Sequence, residues 1–201
     1  EKESVFGQTF SYKGEKFAIS LAGVYQKENA VLALNALEEL DRLGWTTTME
    51  QRKDGLLHTS WKGRFTVINK KPLFIVDGAH NAGAADKMAE SVRHYFNGKK
   101  LIYIMGVFAD KEYKIVLEKT AHFAEKIYTI ETPDNPRALP AEELAKAARV
   151  YNSSAESTKS IKDAVEKAFS CAGDDENSVI LAFGSLSFIG VLTDAVEEYV
   201  G

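Results

Sequence analysis

The sequence predicts an α/β protein built on a mostly parallel sheet with helices on both faces. Three observations predict it. Past residue 65, short apolar strand patterns alternate with helical ones, which is the mark of repeated strand–helix–strand units. The runs Leu73-Phe74-Ile75-Val76 and Val179-Ile180-Leu181-Ala182-Phe183 are continuously apolar, as strands buried on both faces require. Polar residues gather just after strands, at 77–81, 106–111 and 184–187, where open parallel sheets bind ligands.

Taken in order, 9–12 and 16–20 read as two short strands of a hairpin turning at Lys13-Gly14-Glu15. Residues 26–43 read as a helix with Ala30, Leu34, Leu37 and Leu40 on one face, stopped by Gly44. Residues 46–62 read as a loop-like connector with one short helix near 49–57, and a domain boundary is placed near Trp61. The alternation then runs through strands at 65–68 and 73–76, a helix at 84–96, a strand at 101–107 and a helix at 112–121. A strand at 127–130 leads into the loop 132–140, a helix at 141–150 and a short strand within 151–155. A helix at 161–169, a strand at 179–183 and a helix at 187–200 complete it.

The composition is that of a globular chain, 45% hydrophobic and 27% charged, and only residues 1–4 read as prone to fray. The net charge of −4 is interspersed and no basic stripe forms, which argues against a nucleic-acid partner. The single cysteine, Cys171, can form no internal disulfide and fits a reducing, cytoplasmic compartment. It reads as a buried or half-buried thiol. No apolar run approaches the ~18 residues of a membrane span, and 1–5 does not resemble a signal peptide. The chain does not begin with Met, which suggests a processed, cleaved or engineered start.

The chemistry-bearing residues follow strands. Residues 77–81 read Asp-Gly-Ala-His-Asn: Asp77 can accept hydrogen bonds from a ribose or a cation's ligands, and His80 can stack on or bond a nucleotide. A helix cap with a satisfied loop histidine is the plain alternative, but the clustering of Asp, His and Asn favours function. Gly78 and Gly83 have phosphate-loop spacing, yet Ala84-Ala85 replace the required Lys and Ser/Thr, so this is not a phosphate loop. Neither G-x-G-x-x-G nor G-x-S-x-G occurs, against a dinucleotide-binding dehydrogenase and an α/β-hydrolase. Arg64 follows Gly63 at the boundary, where it can clamp phosphates or simply form a surface ion pair. Arg137 ends Thr132-Pro133-Asp134-Asn135-Pro136-Arg137, whose prolines stiffen it as a carboxylate clamp or a plain surface arginine. Ser185 and Ser187 flank Leu186 at the start of the last helix, where they can hold an anion or cap the helix. Asp110-Lys111 reads as an ion pair or a substrate contact, the ion pair being the better reading of the two residues alone.

Together these segments resemble the folylpolyglutamate synthase/dihydrofolate synthase family of the Mur ligase superfamily, over nearly the whole chain. They are Leu21-Ala22-Gly23-Val24-Tyr25-Gln26 with Asn29-Ala30, Trp61 with Gly63-Arg64, and Asp77 to Asn81. Met105-Gly106 with Asp110-Lys111, Pro136-Arg137-Ala138 and Phe183-Gly184-Ser185-Leu186 complete the set. The family's Gly-x-His-Gln has Tyr25 at its third position here, while Gln26 and Asn29 remain.

The resemblance implies a Rossmann-like glutamate-ligase domain over 61–201. It implies that 1–60, a hairpin plus helix, is a remnant of the family's central ATPase domain and linker. The implied reaction is ATP-dependent addition of L-glutamate to the γ-carboxyl of (tetrahydro)folate through an acyl phosphate. Asn29, Arg64 and Asp77 would contact ATP, with Arg64 on the phosphates, Asp77 on the ribose side and Asn29 on the base side. His80, Arg137 and Ser185 would line the glutamate end, His80 and Ser185 serving catalysis. The phosphate loop and Mg²⁺ ligands would precede residue 1, so no metal ligand is expected within the chain and the chain alone should ligate nothing. A monomer working with the N-terminal ATPase domain of the same enzyme is implied. Two other readings stay open: a peptidoglycan-precursor ligase, which shares the Asp-Asn-Pro-Arg at 134–137, and a non-catalytic amino-acid or nucleotide-binding module.

Overall fold

The computed structural model describes residues 3–201, which divide into two compact units, 3–66 and 67–201. The expectation for residues 1 and 2 lies outside the described residues.

In the first unit, β1 (Glu3–Ser4), β2 (Gly7–Tyr12) and β3 (Glu15–Ile19) form an antiparallel sheet in that order. The β1 pairing was not expected, since 1–4 read as frayed. Helix α1 (Gln26–Arg42) buries Ala30 and Leu34, four apart and so on one face, against Phe10, Phe17 and Ile19. The predicted stripe is shorter than expected, because Leu40 is exposed. The connector holds a full helix, α2 (Met49–His58). A capping box starts it: Thr48 accepts from the Gln51 amide, and the Gln51 side chain accepts from the Thr48 amide. Arg52 then ties α2 back to Asp41 and to Thr47.

The second unit holds a six-stranded sheet. Its chain order is β4 (Thr66–Lys70), β5 (Leu73–Asp77), α3 (Ala82–Phe96), β6 (Lys100–Met105), α4 (Tyr113–Thr120) and β7 (Ala124–Thr129). Then come α5 (Ala141–Arg149), β8 (Ala155–Ser157), α6 (Ile161–Ala172), β9 (Ser178–Phe183) and α7 (Ile189–Val200). The spatial order is β4-β5-β9-β6-β7-β8, and every pairing from β5 to β8 is parallel. The chain goes from β5 to β6 and out to β8, then returns to insert β9 between β5 and β6. All six residues of β9 are buried, which is why it reads as an unbroken apolar run. Alternate residues Phe74, Val76, Ile102, Ile104, Ile180 and Ala182 pack against α6 and α7. The opposite face, with Ile75, Tyr103 and Leu181, is equally buried, on the side of α3, α4 and α5. Among the described residues no helix is long and apolar enough to cross a membrane.

Several strand bounds shift: β7 starts at Ala124 rather than 127, β6 ends at Met105 rather than 107, and for two others the structure shows a cause. The first begins at Thr66 rather than Phe65, because Phe65 takes a left-handed backbone (φ 47°) that turns the chain before pairing starts. The strand expected within 151–155 lies at Ala155–Ser157. Asn152 holds the chain back: its Nδ2 donates to the carbonyls of Ala121 (3.0 Å) and Ala124 (2.6 Å), and its Oδ1 accepts from the Ser154 amide.

On the β8 edge, Glu156 bonds Lys126 at 2.7 Å and lies 3.3 Å from Lys167. The Lys126 hydrogen bond holds its carboxyl below the ordinary carboxylate range. The unfolded chain regains the ordinary value, about 4.3. The stabilisation is therefore complete above that pH and disappears as pH falls through the lower folded value. Glu156→Gln should cost at most about 1 kcal/mol at pH 7, since the carboxylate is partly exposed and screened. The same substitution should cost almost nothing at pH 2. Urea titrations at both pH values check this, and an equal cost at both would refute it.

Candidate functional site

Parallel strands in register place their following loops side by side. Phe183 of β9 stands opposite Asp77 of β5 and Met105 of β6. The segments 78–81, 184–187 and 106–111 therefore emerge together, and the loop after β7 joins them. Between them lies a cleft of about 330 Å³, lined by His80, Phe108, Lys111, Arg137, Gly184, Ser185, Leu186 and Ser187. That is the size of a small-molecule site.

The first loop is a sequence of local hydrogen bonds. Asp77 is buried, and its Oδ1 accepts from the Ala79 amide at 2.7 Å. Asn81 caps α3, accepting from the Ala84 amide at 2.9 Å. His80 stands 2.7 Å from the Gly78 carbonyl through Nδ1. A carbonyl only accepts, so Nδ1 carries the proton, and in the neutral ring Nε2 is the lone-pair nitrogen.

Arg137 is fixed by its own main chain. The Ala109 amide donates to the Arg137 carbonyl (2.8 Å), the Leu139 amide donates to the Val107 carbonyl (3.0 Å), and Phe108 bridges Ala138. The loops after β6 and β7 are thus zipped together. The guanidinium lies over the Phe108 ring at 4.5 Å, with Asp110 3.7 Å away. This corrects the expected Asp110–Lys111 ion pair: the carboxylate sits by Arg137, and Lys111 lines the cleft with no ion-pair partner among the described residues. A one-residue step points neighbouring side chains apart, so adjacency in sequence did not bring them together.

Ser185 is buried, and its Oγ lies 2.7 Å from that of Ser187 and accepts from the Ser187 amide. A 3₁₀ turn, Leu186–Phe188, then leads into α7. Gly184 is required here. Its φ is +117°, and a Cβ would lie 2.4 Å from the Gly106 carbonyl oxygen.

The structure thus brings His80, Arg137 and Ser185 to one cleft, with Asp77 beside it at the end of β5. Phe108 was missed, and nothing in a lone loop aromatic would have found it. Asn29 and Arg64 lie in the first unit. Asn29 donates from Nδ2 to Gln26 Oε1 at 2.9 Å, and the Arg64 guanidinium stands 6.0 Å from the Trp61 ring centroid. Among the described residues no group of three or more His, Cys, Asp or Glu could hold a metal ion.

The chain is similar to known proteins over most of its length. A dihydrofolate synthase/folylpolyglutamate synthase of Bacillus subtilis is 29% identical over 189 residues, 91% of this chain and 43% of the relative. A folylpolyglutamate synthase of Lacticaseibacillus casei is 28% identical over 141 residues, 67% of this chain and 33% of the relative. The structure of Thermotoga maritima folylpolyglutamate synthase superposes with a TM-score of 0.77 at 26% identity, over 98% of this chain and 45% of that one. The Mycobacterium tuberculosis enzyme, solved with ADP and AMPPCP, superposes at 0.81 over the whole chain and 47% of its own, at 24% identity, which shows the fold. The chain spans less than half the length of these relatives. The family profile described as Mur ligase, glutamate ligase domain matches residues 63–186, which contain every residue of the cleft except Ser187. By that match, and by the strand-end cleft that it encloses, the chain belongs to the Mur ligase family.

Proposed function

We propose that this chain is the C-terminal portion of an ATP-dependent ligase that adds L-glutamate to the γ-carboxyl of (tetrahydro)folate. The observation that carries the reading is the cleft. Two cations, Lys111 and Arg137, flank His80, Ser185 and Ser187. A dicarboxylate amino acid needs two positive partners and a group able to take a proton from its ammonium. The lone-pair Nε2 of His80 is placed for that proton, and the Ser185–Ser187 turn offers hydroxyls to a carboxylate. The homologues named folylpolyglutamate synthase point the same way.

In this reading a folate carboxylate attacks the ATP γ-phosphorus and ADP leaves, giving an acyl phosphate. The glutamate amine then adds to the acyl carbon, and the tetrahedral intermediate collapses with loss of phosphate. The work of the protein is positioning and charge stabilisation. Asn29 and Arg64 on the first unit and Asp77 on the second are the residues we assign to ATP. Residues 1–60 we assign to the tail of a central ATPase domain. In this unit Leu32, Leu43 and Trp45 are 69–75% exposed, apolar side chains that a further part of the enzyme would cover. Mg²⁺ we assign to the rest of the enzyme, with the phosphate loop. We read the whole as a cytoplasmic monomer.

No G-x-x-x-x-G-K-[ST] occurs in these residues. With labelled glutamate, Mg-ATP and tetrahydrofolate, the chain alone should therefore give no product, while the full-length ligase should. Product from the chain alone would reveal a nucleotide site that the phosphate-loop argument misses. Product from neither, but from a UDP-linked muramyl peptide acceptor, would move the reading to the peptidoglycan branch. Tight nucleotide binding by the chain alone without any product would favour a binding module.

A further inference from the structure

We propose that Gln8 is a positioning residue for the Gln26–Asn29 pair, acting through the carbonyl of Gly23; the inference rests on the reading that Asn29 contacts the nucleotide. Gln8 lies on β2, in phase with the core residue Phe10, yet it is a polar side chain only 2% exposed. Its Nε2 donates to the carbonyls of Leu21 and Gly23, both at 2.9 Å. Its Oε1 has no partner among the described residues. Burying an unmatched acceptor is unfavourable, and an apolar side chain would fill the same space without it. What only the amide supplies is two donors to the carbonyls of the loop between sheet and helix.

That loop leads into α1. The Gly23 carbonyl also accepts from the Gln26 amide at 3.0 Å, so one oxygen joins Gln8 to the first residue of the helix. Gly23 has φ +97°, and a Cβ there would stand 2.9 Å from the Tyr25 ring, so no side chain of its own anchors it. Gln26 is 5% exposed and commits Oε1 to Nδ2 of Asn29. Through the shared Gly23 carbonyl, Gln8 sets where that pair stands.

The test is a set of variants in the full-length ligase: Gln8→Met, which keeps the volume and loses the donors, Asn29→Ala, and both together. Gln8→Met should raise the ATP KM about tenfold with kcat within twofold, and should add less than twofold on the Asn29→Ala background. Effects that multiply, or a loss of kcat that tracks folded protein with KM unchanged, would overturn the proposal. If Asn29→Ala alone leaves the ATP KM unchanged, the nucleotide reading fails. The Gln8–Gly23 link is then judged separately, by hydrogen exchange of the Gln26 amide in the 201-residue chain. Gln8→Met should speed that exchange at least tenfold, and an unchanged rate would overturn the link.

Discussion

Gly184→Ala is expected to destabilise the sheet unit by about 3 kcal/mol, lowering its thermal midpoint by roughly 6–12 °C. Two costs add. The backbone at φ +117° strains any residue that carries a Cβ. That Cβ would also meet the main-chain carbonyl oxygen of Gly106 at 2.4 Å and the side chain of buried Val107, whose Cγ1 would stand at 2.9 Å. Gly106 cannot step aside, because its amide donates to the Phe183 carbonyl and its own Cβ position is filled by Ile130 and Phe188. The substitution thus forces β9 and β6 apart at the mouth of the cleft. Gly190 is the control. It sits in α7 with open space around it, and Gly190→Ala should be neutral or stabilise by about 0.5–1 kcal/mol. Thermal melts of both variants decide it. If Gly184→Ala melts with the parent chain, the close contact is not a constraint.

The order of sheet elements was legible because burial on both faces writes an unmistakable pattern. Leu73 to Val76 and Val179 to Phe183 have no polar interruption, and both form strands. The sheet's spatial order was not legible: nothing in the residues of β9 says that it inserts between β5 and β6, since pairing is made by main chain. Two of the errors fall where a single side chain governs the backbone, with Asn152 delaying β8 and Phe65 delaying β4. In the cleft, His80, Arg137 and Ser185 were visible because polar residues after apolar strands are conspicuous. Lys111 was visible but paired with the wrong partner, and Gln8 was invisible. A glutamine inside a strand looks like an exposed strand residue until the carbonyls that it serves are seen.

Arg137→Ala, in the full-length ligase, should raise the glutamate KM about 100-fold, close to 2.7 kcal/mol, with the ATP KM unchanged. The guanidinium is held before any ligand arrives. The 106–111 loop holds its carbonyl through Ala109, Asn135 holds its amide, and the Phe108 ring supports its plane. Little ordering entropy is then lost when a carboxylate docks, so the interaction is retained as affinity. Asp110 sharpens the expectation. At 3.7 Å it neutralises part of the charge, and a carboxylate entering the cleft must compete with it. Asp110→Asn should therefore lower the glutamate KM severalfold, the opposite sign from Arg137→Ala, although both remove one member of the same ion pair. Arg137→Lys keeps the charge but loses the bidentate fork and the ring stacking, and should fall between, at about tenfold. If Arg137 were only a surface residue, Asp110→Asn and Arg137→Ala would move stability together and leave the glutamate KM alone. Opposite shifts in glutamate KM require that the arginine's free face be turned to substrate.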